Sequence, residues 1–172
     1  MTTKMKTLVL GLGNPIVTDD AVGLRVVQKV SEELDDPDVS VVEQYEGGLR
    51  LLDAVLGYDR VIIVDAIQTR NGKPGQVYRL KPEDFSFAKH LSSPHSTNLV
   101  TALELGRMLN LAVPQEITIF AVEAADLTNF SERCTPEVEK AIPEATNLVL
   151  QELSSEGSRG QGETRGAGRP TQ

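Results

Sequence analysis

Two uninterrupted apolar runs, Thr-Leu-Val-Leu-Gly-Leu at 7–12 and Val-Ile-Ile-Val at 61–64, constrain the fold more than any other feature of the chain. A strand with one wet face alternates polar and apolar side chains; these runs do not alternate, so both of their faces must be covered. Strands covered on both faces belong to parallel sheets flanked by helices. Two β-branched segments, 39–43 and 117–122, read as further strands. Helical patterns occupy the gaps at 19–34, 48–57, 97–110 and 136–153. In the first of these Thr18 stands at the N-cap, with Asp19 and Asp20 in the first turn; in the last, Thr135 caps and Pro136 opens the helix.

The alternation of strand and helix predicts an α/β fold, a three-layer domain with helices on both faces of the sheet. One connection is different. Only ten residues separate Asp65 from a strand at 76–80, and they include Gly72, Pro74 and Gly75. Such a link is too short for a helical crossover, so this strand is expected to run antiparallel in a five-stranded, mostly parallel mixed sheet. A single domain is expected over 1–153. The remaining nineteen residues, 154–172, carry five Gly, three Ser and three Arg and no apolar side chain larger than Ala, the composition of a disordered tail.

The chain of 172 residues has a net charge of −8; without the tail, fourteen basic residues face twenty-three acidic ones. No cluster of Lys or Arg offers a footprint for a phosphate backbone, so a nucleic-acid partner is not expected; a cation or a cationic peptide suits this field. With one cysteine, Cys134, there is no internal disulfide framework, in keeping with a reducing, cytoplasmic compartment. No run of eighteen apolar residues suggests a membrane span, and no export signal is read at the start.

Open α/β sheets bind ligands beyond the carboxyl ends of their parallel strands. Connectivity takes three polar residues to that edge. Asp20 opens the helix after the first strand, Asp65 ends the third, and His95 precedes a helix that must start there to feed the strand at 117. Two carboxylates and an imidazole can hold a borderline divalent ion or act as acid and base, although each also has an ordinary local role, as helix-dipole complement, turn cap or helix-start hydrogen bonder. Glu46 and Glu123 could reach the same rim and read as solvated surface residues. Cys134 reads as a small buried apolar group, and His90 has no connectivity to the site.

The run Gly11-Leu-Gly13-Asn14-Pro15-Ile16 superficially follows a dinucleotide fingerprint, yet its third glycine position holds Ile16 and its helix start offers two carboxylates to an incoming pyrophosphate. The acidic start favours a cation. Gly11 and Gly13 are then attributed to a tight strand-to-loop turn.

The segment from Gly11 through Thr18-Asp19-Asp20 to Gly23 resembles the opening motif of the hydrogenase maturation proteases. Tyr58 to Ala66, Pro94-His95 with Asn98 to Leu103, and Leu127 to Pro143 are similar to later blocks of that family, in order and over about residues 7–150. The resemblance implies an endopeptidase that removes a short C-terminal extension from the nickel-loaded precursor of a nickel-iron hydrogenase large subunit. It associates nickel with an acidic residue after the first strand, an Asp in the third and a His before the later helix, which fall on Asp20, Asp65 and His95. Aspartic-type chemistry is suspected: Asp20 and Asp65 would activate a water, one of the pair staying protonated, or nickel would polarise the scissile carbonyl. Departures are the shorter acid at 20, Glu46-Gly47-Gly48 where many members show Asp-Gly-Gly, and Cys134 where Leu is common. Alternative readings are a non-catalytic nickel-sensing chaperone that binds the precursor and, from Gly-Leu-Gly-Asn-Pro alone, a peptidyl-tRNA hydrolase.

Overall fold

A computed structural model describes residues 4–87 and 96–155. Its sheet has five strands: β1 (Thr7–Leu12), β2 (Val39–Gln44), β3 (Arg60–Ile67), β4 (Val77–Leu80) and β5 (Glu116–Glu123). Their order is β2-β1-β3-β5-β4. The first four in that order run parallel, and β4 pairs antiparallel with β5, as the short connection required. Every residue of β1 and β3 is buried, which is why those two segments lack alternation.

Among the described residues five α-helices complete the layers: α1 (Val22–Glu33), α2 (Leu49–Val55), α3 (Pro82–Phe87), α4 (Ser96–Met108) and α5 (Pro136–Ser154). Side-chain parity along β3 sorts them. Ile62, Val64 and Ala66 face a core built with Val22, Val26 and Val30 of α1 and Val138, Ala145 and Val149 of α5. Val61, Ile63 and Ile67 face the opposite core, with Leu51 and Val55 of α2 and Leu99 and Leu103 of α4. Burial of apolar area on both faces at once, at about 25 cal/mol per Å2, is what holds the central strands. No described helix is long and apolar enough to cross a membrane.

Several local expectations are corrected. Residues Thr18–Ala21 form a 3-10 turn rather than the first turn of an α-helix, and α1 begins only at Val22. Thr18 does not cap: its hydroxyl donates to the Asn129 carbonyl, 2.6 Å away. Thr135 precedes α5 but its hydroxyl likewise points elsewhere, to the Asp19 carboxylate. Gly11 is a strand residue, not a turn residue; a Cβ there would meet the Val27 side chain and the Gly23 carbonyl, so its role is to let α1 lie close on β1. Helix α3, in a polar stretch, had no signal in the apolar pattern. Residues 88–95 and 156–172 lie outside the described residues, and with them His90, His95 and all but the first two residues of the expected tail.

Candidate functional site

Strand order creates one place where connections diverge. From β1 the chain crosses to β2 on one side; from β3 it leads toward β5 and β4 on the other. The gap between the carboxyl ends of β1 and β3 is therefore the topological switch point, where open α/β sheets hold their ligands. Register makes the gap concrete. The β1–β3 pairing stops at Gly11 with Val64, while β3 continues beside β5, Asp65 opposite Ala121 and Ile67 opposite Glu123.

Asp65 sits at that gap. It is 1% exposed, lies within the strand rather than at its end, and shares the face of Ile63 and Ile67, toward α2 and α4. Its Oδ1 accepts the N–H of Ala66 at 2.9 Å. Asp20 comes to the same gap from the other side. The 3-10 turn that carries it lies against β3, and Gly23, three residues on, packs so tightly that a Cβ would collide with the carbonyl oxygens of both Leu12 and Val64. Gly13 lies equally close against the Asp20 carbonyl. The Asp20 side chain is 6% exposed and accepts the Asn14 N–H on Oδ2 at 3.1 Å. The structure thus brings Asp20 and Asp65 to the same edge, at the split between β1 and β3.

His95 lies outside the described residues, so its expected membership of the site carries no geometry here. Helix α4, which begins one residue later at Ser96, does start at the carboxyl edge, because it feeds the parallel strand β5. Among the described residues no group of three His, Cys, Asp or Glu side chains forms a cluster that could hold a metal ion. Glu46 is an exposed partner of Arg50, 2.6 Å apart, as its surface reading required. Cys134 is buried, its thiol pushed up to about 12 by burial and by the neighbouring Asp19 and Glu139 charges, which leaves it protonated and unreactive at neutral pH.

Sequence comparison decides the family. The profile of the hydrogenase maturation protease family matches residues 24–152. The hydrogenase 2 maturation protease of Escherichia coli (strain K12) is 32% identical over 155 residues, which cover 89% of this chain and 93% of the relative.

The chain belongs to the hydrogenase maturation protease family.

Its fold agrees with that membership. The hydrogenase maturating endopeptidase HybD from Escherichia coli superposes with a TM-score of 0.77 at 31% identity, covering 89% of this chain and 94% of the other. The [NiFe] hydrogenase maturation protease HybD from Thermococcus kodakarensis gives 0.71 at 25% identity, with coverages of 86% and 99%. The activity is accordingly that of a hydrolase, an endopeptidase of hydrogenase maturation.

Two carboxylates beside this protease's site were misjudged or passed over in the sequence. Glu123 is 2% exposed, not solvated. It accepts the Thr69 N–H at 2.8 Å and the Thr69 hydroxyl at 3.1 Å, and a Cβ on Gly72 would strike its carboxyl carbon. Its parity with Ile119 and Ala121 along a buried strand was the available signal. Asp19, expected only to complement a helix dipole, is fully buried at 0% exposure and tied to the β5–α5 loop.

Proposed function

We propose that this protease cuts a short C-terminal extension from the precursor of a nickel-iron hydrogenase large subunit once nickel is in place, and that Asp20 and Asp65 are the residues that meet the metal-bearing end of the precursor. The observation that carries the reading is their burial together at the switch point, 6% and 1% exposed. Buried carboxylates at a ligand-binding edge suit a borderline divalent ion, and two protein oxygens leave the remaining coordination positions for the substrate's own ligands. His95, by resemblance, is the third contact. When bound, nickel would supply Lewis-acid polarisation of the scissile carbonyl.

The chain's own contribution is position and proton handling. Asn14 and Ala66 donate backbone N–H groups to the Asp20 and Asp65 carboxylates, which restrains their orientation. A carboxylate held this way orients an attacking water and takes its proton as the tetrahedral intermediate forms. Cytoplasmic action belongs to the same reading and is supported by the single cysteine, Cys134, which suits a reducing compartment.

The test is intact mass. Incubated with the nickel-loaded precursor, the protein should yield a large subunit lighter by its C-terminal peptide. An unchanged mass in a stable complex would instead make this a precursor-binding chaperone, and turnover of peptidyl-tRNA alone would overturn the assignment altogether.

A further inference from the structure

The two consecutive aspartates in Thr18-Asp19-Asp20 are directed to different parts of the molecule: the Asp20 carboxylate accepts the Asn14 N–H, while that of Asp19 reaches residues 125–135. The Asp19 carboxylate is fully buried and its acceptor positions are taken. Oδ2 accepts the N–H groups of Ala125 and Asp126, each at 2.9 Å, and the Thr135 hydroxyl at 2.9 Å. Oδ1 accepts the Thr135 N–H at 2.7 Å. The Asp19 N–H donates in turn to the Asp126 carbonyl at 3.1 Å. All of these partners belong to the loop between β5 and α5. Two more bonds join the same segments: the Thr18 hydroxyl to the Asn129 carbonyl at 2.6 Å, and the Ser131 N–H to the Ile16 carbonyl at 3.0 Å.

Asp20 is the next residue. Its N–H donates to the Val17 carbonyl at 2.8 Å and its own carbonyl is backed by Gly13, so the turn that carries it is gripped from both sides. Thr18, with φ at 21°, sits in a backbone region that β-branched residues avoid, and such a conformation persists only where its surroundings enforce it.

We infer that Asp19 is a positioning residue: its carboxylate clasps the β5–α5 loop to the catalytic turn and thereby fixes where Asp20 stands in the gap between β1 and β3. The inference rests on the reading of Asp20 given above. Charge-assisted bonds from several donors to one carboxylate are short and strong, and they set geometry rather than chemistry. A displacement of about 1 Å at a reacting group can cost on the order of 100-fold in rate, so a clasp on the turn itself is where loosening would be felt.

Thr135→Val tests this from the far side of the clasp. It removes the hydroxyl donor, preserves side-chain shape and touches neither Asp20 nor Asp65. Four quantities are measured: kcat and KM on the nickel-loaded precursor, affinity for nickel(II) alone by calorimetry, and the melting temperature. The expected result is about a tenfold fall in kcat with KM unchanged and a weaker nickel(II) affinity, in a protein that still melts cooperatively. Thr135→Ser, which restores the hydroxyl, should recover both. A Thr135→Val protein with lower melting temperature but wild-type kcat and nickel(II) affinity would reduce Asp19 to scaffolding and overturn the inference. Full activity in Asp20→Asn would instead overturn the reading of Asp20, so the two failures are distinguishable. Asp19→Asn, if it folds, should show a larger loss of kcat than Thr135→Val.

Discussion

At the amino edge of the sheet the buried Arg60 charge is met by opposite charge; at the carboxyl edge the buried Asp19 and Glu123 carboxylates accept from neutral donors. Arg60, 4% exposed, donates to the Glu152 carbonyl at 2.9 Å and lies 3.4 Å from its carboxylate and 3.9 Å from that of Glu116. Arg79 completes the group with two bonds to Glu152, at 2.8 and 3.2 Å, and these bonds with the nearby Arg60 charge hold the Glu152 carboxyl below its ordinary range. At the other edge Asp19 and Glu123 are bound by N–H and O–H groups. Among the described residues all four buried acidic side chains, Asp19, Asp20, Asp65 and Glu123, lie at the carboxyl edge, and the buried basic one, Arg60, at the amino edge. Hydrogen bonds from neutral donors stabilise a carboxylate without erasing its net charge, so Asp19 and Glu123 keep theirs at the carboxyl edge while the charges at the amino edge are paired. A cleft of about 620 Å3 does open at the amino edge, lined by Arg60, Arg79, Glu116 and Glu152, but those groups already serve one another.

If the two edges have divided these tasks, isosteric changes should separate activity from stability. The largest effect is expected at the carboxyl edge: Asp20→Asn and Asp65→Asn should each lower kcat on the precursor by about 100- to 10,000-fold, the range associated with loss of a proton-handling group, with cooperative melting retained. Single-turnover cleavage followed by mass spectrometry measures it, and a Asp65→Asn protein with undiminished cleavage would break the comparison.

Next comes the amino edge. Glu152→Gln leaves a buried guanidinium without its main counter-charge and should cost about 2–3 kcal/mol in urea unfolding while kcat stays at the wild-type value. Loss of activity in the fully folded variant would show that the amino edge takes part in catalysis.

The smallest effect is one of pH. Asp126 accepts the N–H groups of Asn129 and Thr128 at 3.0 and 2.9 Å, which brings its pKa down to about 2. A carboxylate depressed in the folded state adds stability that is fully present above its unfolded value, near 3.8, and fades as pH falls through about 2. Amide exchange at Thr128 and Asn129 should therefore keep its protection below pH 4 and lose it only as pH falls through about 2; protection that vanishes at pH 5 would contradict the assignment.

How much of this could be read in the sequence depended on the reach of the interactions. Burial on both faces removes alternation from 7–12 and 61–64 and made β1 and β3 legible, β-branched residues marked β2 and β5, and β4 was placed by the length of one connector. The edge carrying Asp20 and Asp65 followed from strand direction alone. The 3-10 turn did not: Thr18, Asp19 and Asp20 compose a good helix start, and what overrides it is a set of bonds to residues 106 to 116 positions away. Glu123 was misjudged for the same reason, since Thr69, which buries it, lies 54 residues upstream. Local propensity describes the chain up to the point where distant partners impose a different geometry.

The wiring of the clasp also orders events while the chain is being made. Strands β1, β2 and β3 and helix α1 are complete by Ile67. The donors that fasten Asp19 arrive much later, at Ala125, Asp126 and Thr135. The strands that flank Asp20 and Asp65 are thus complete in the sequence long before the donors that fasten Asp19, and the clasp can close only after residue 135 has been synthesised and folded back.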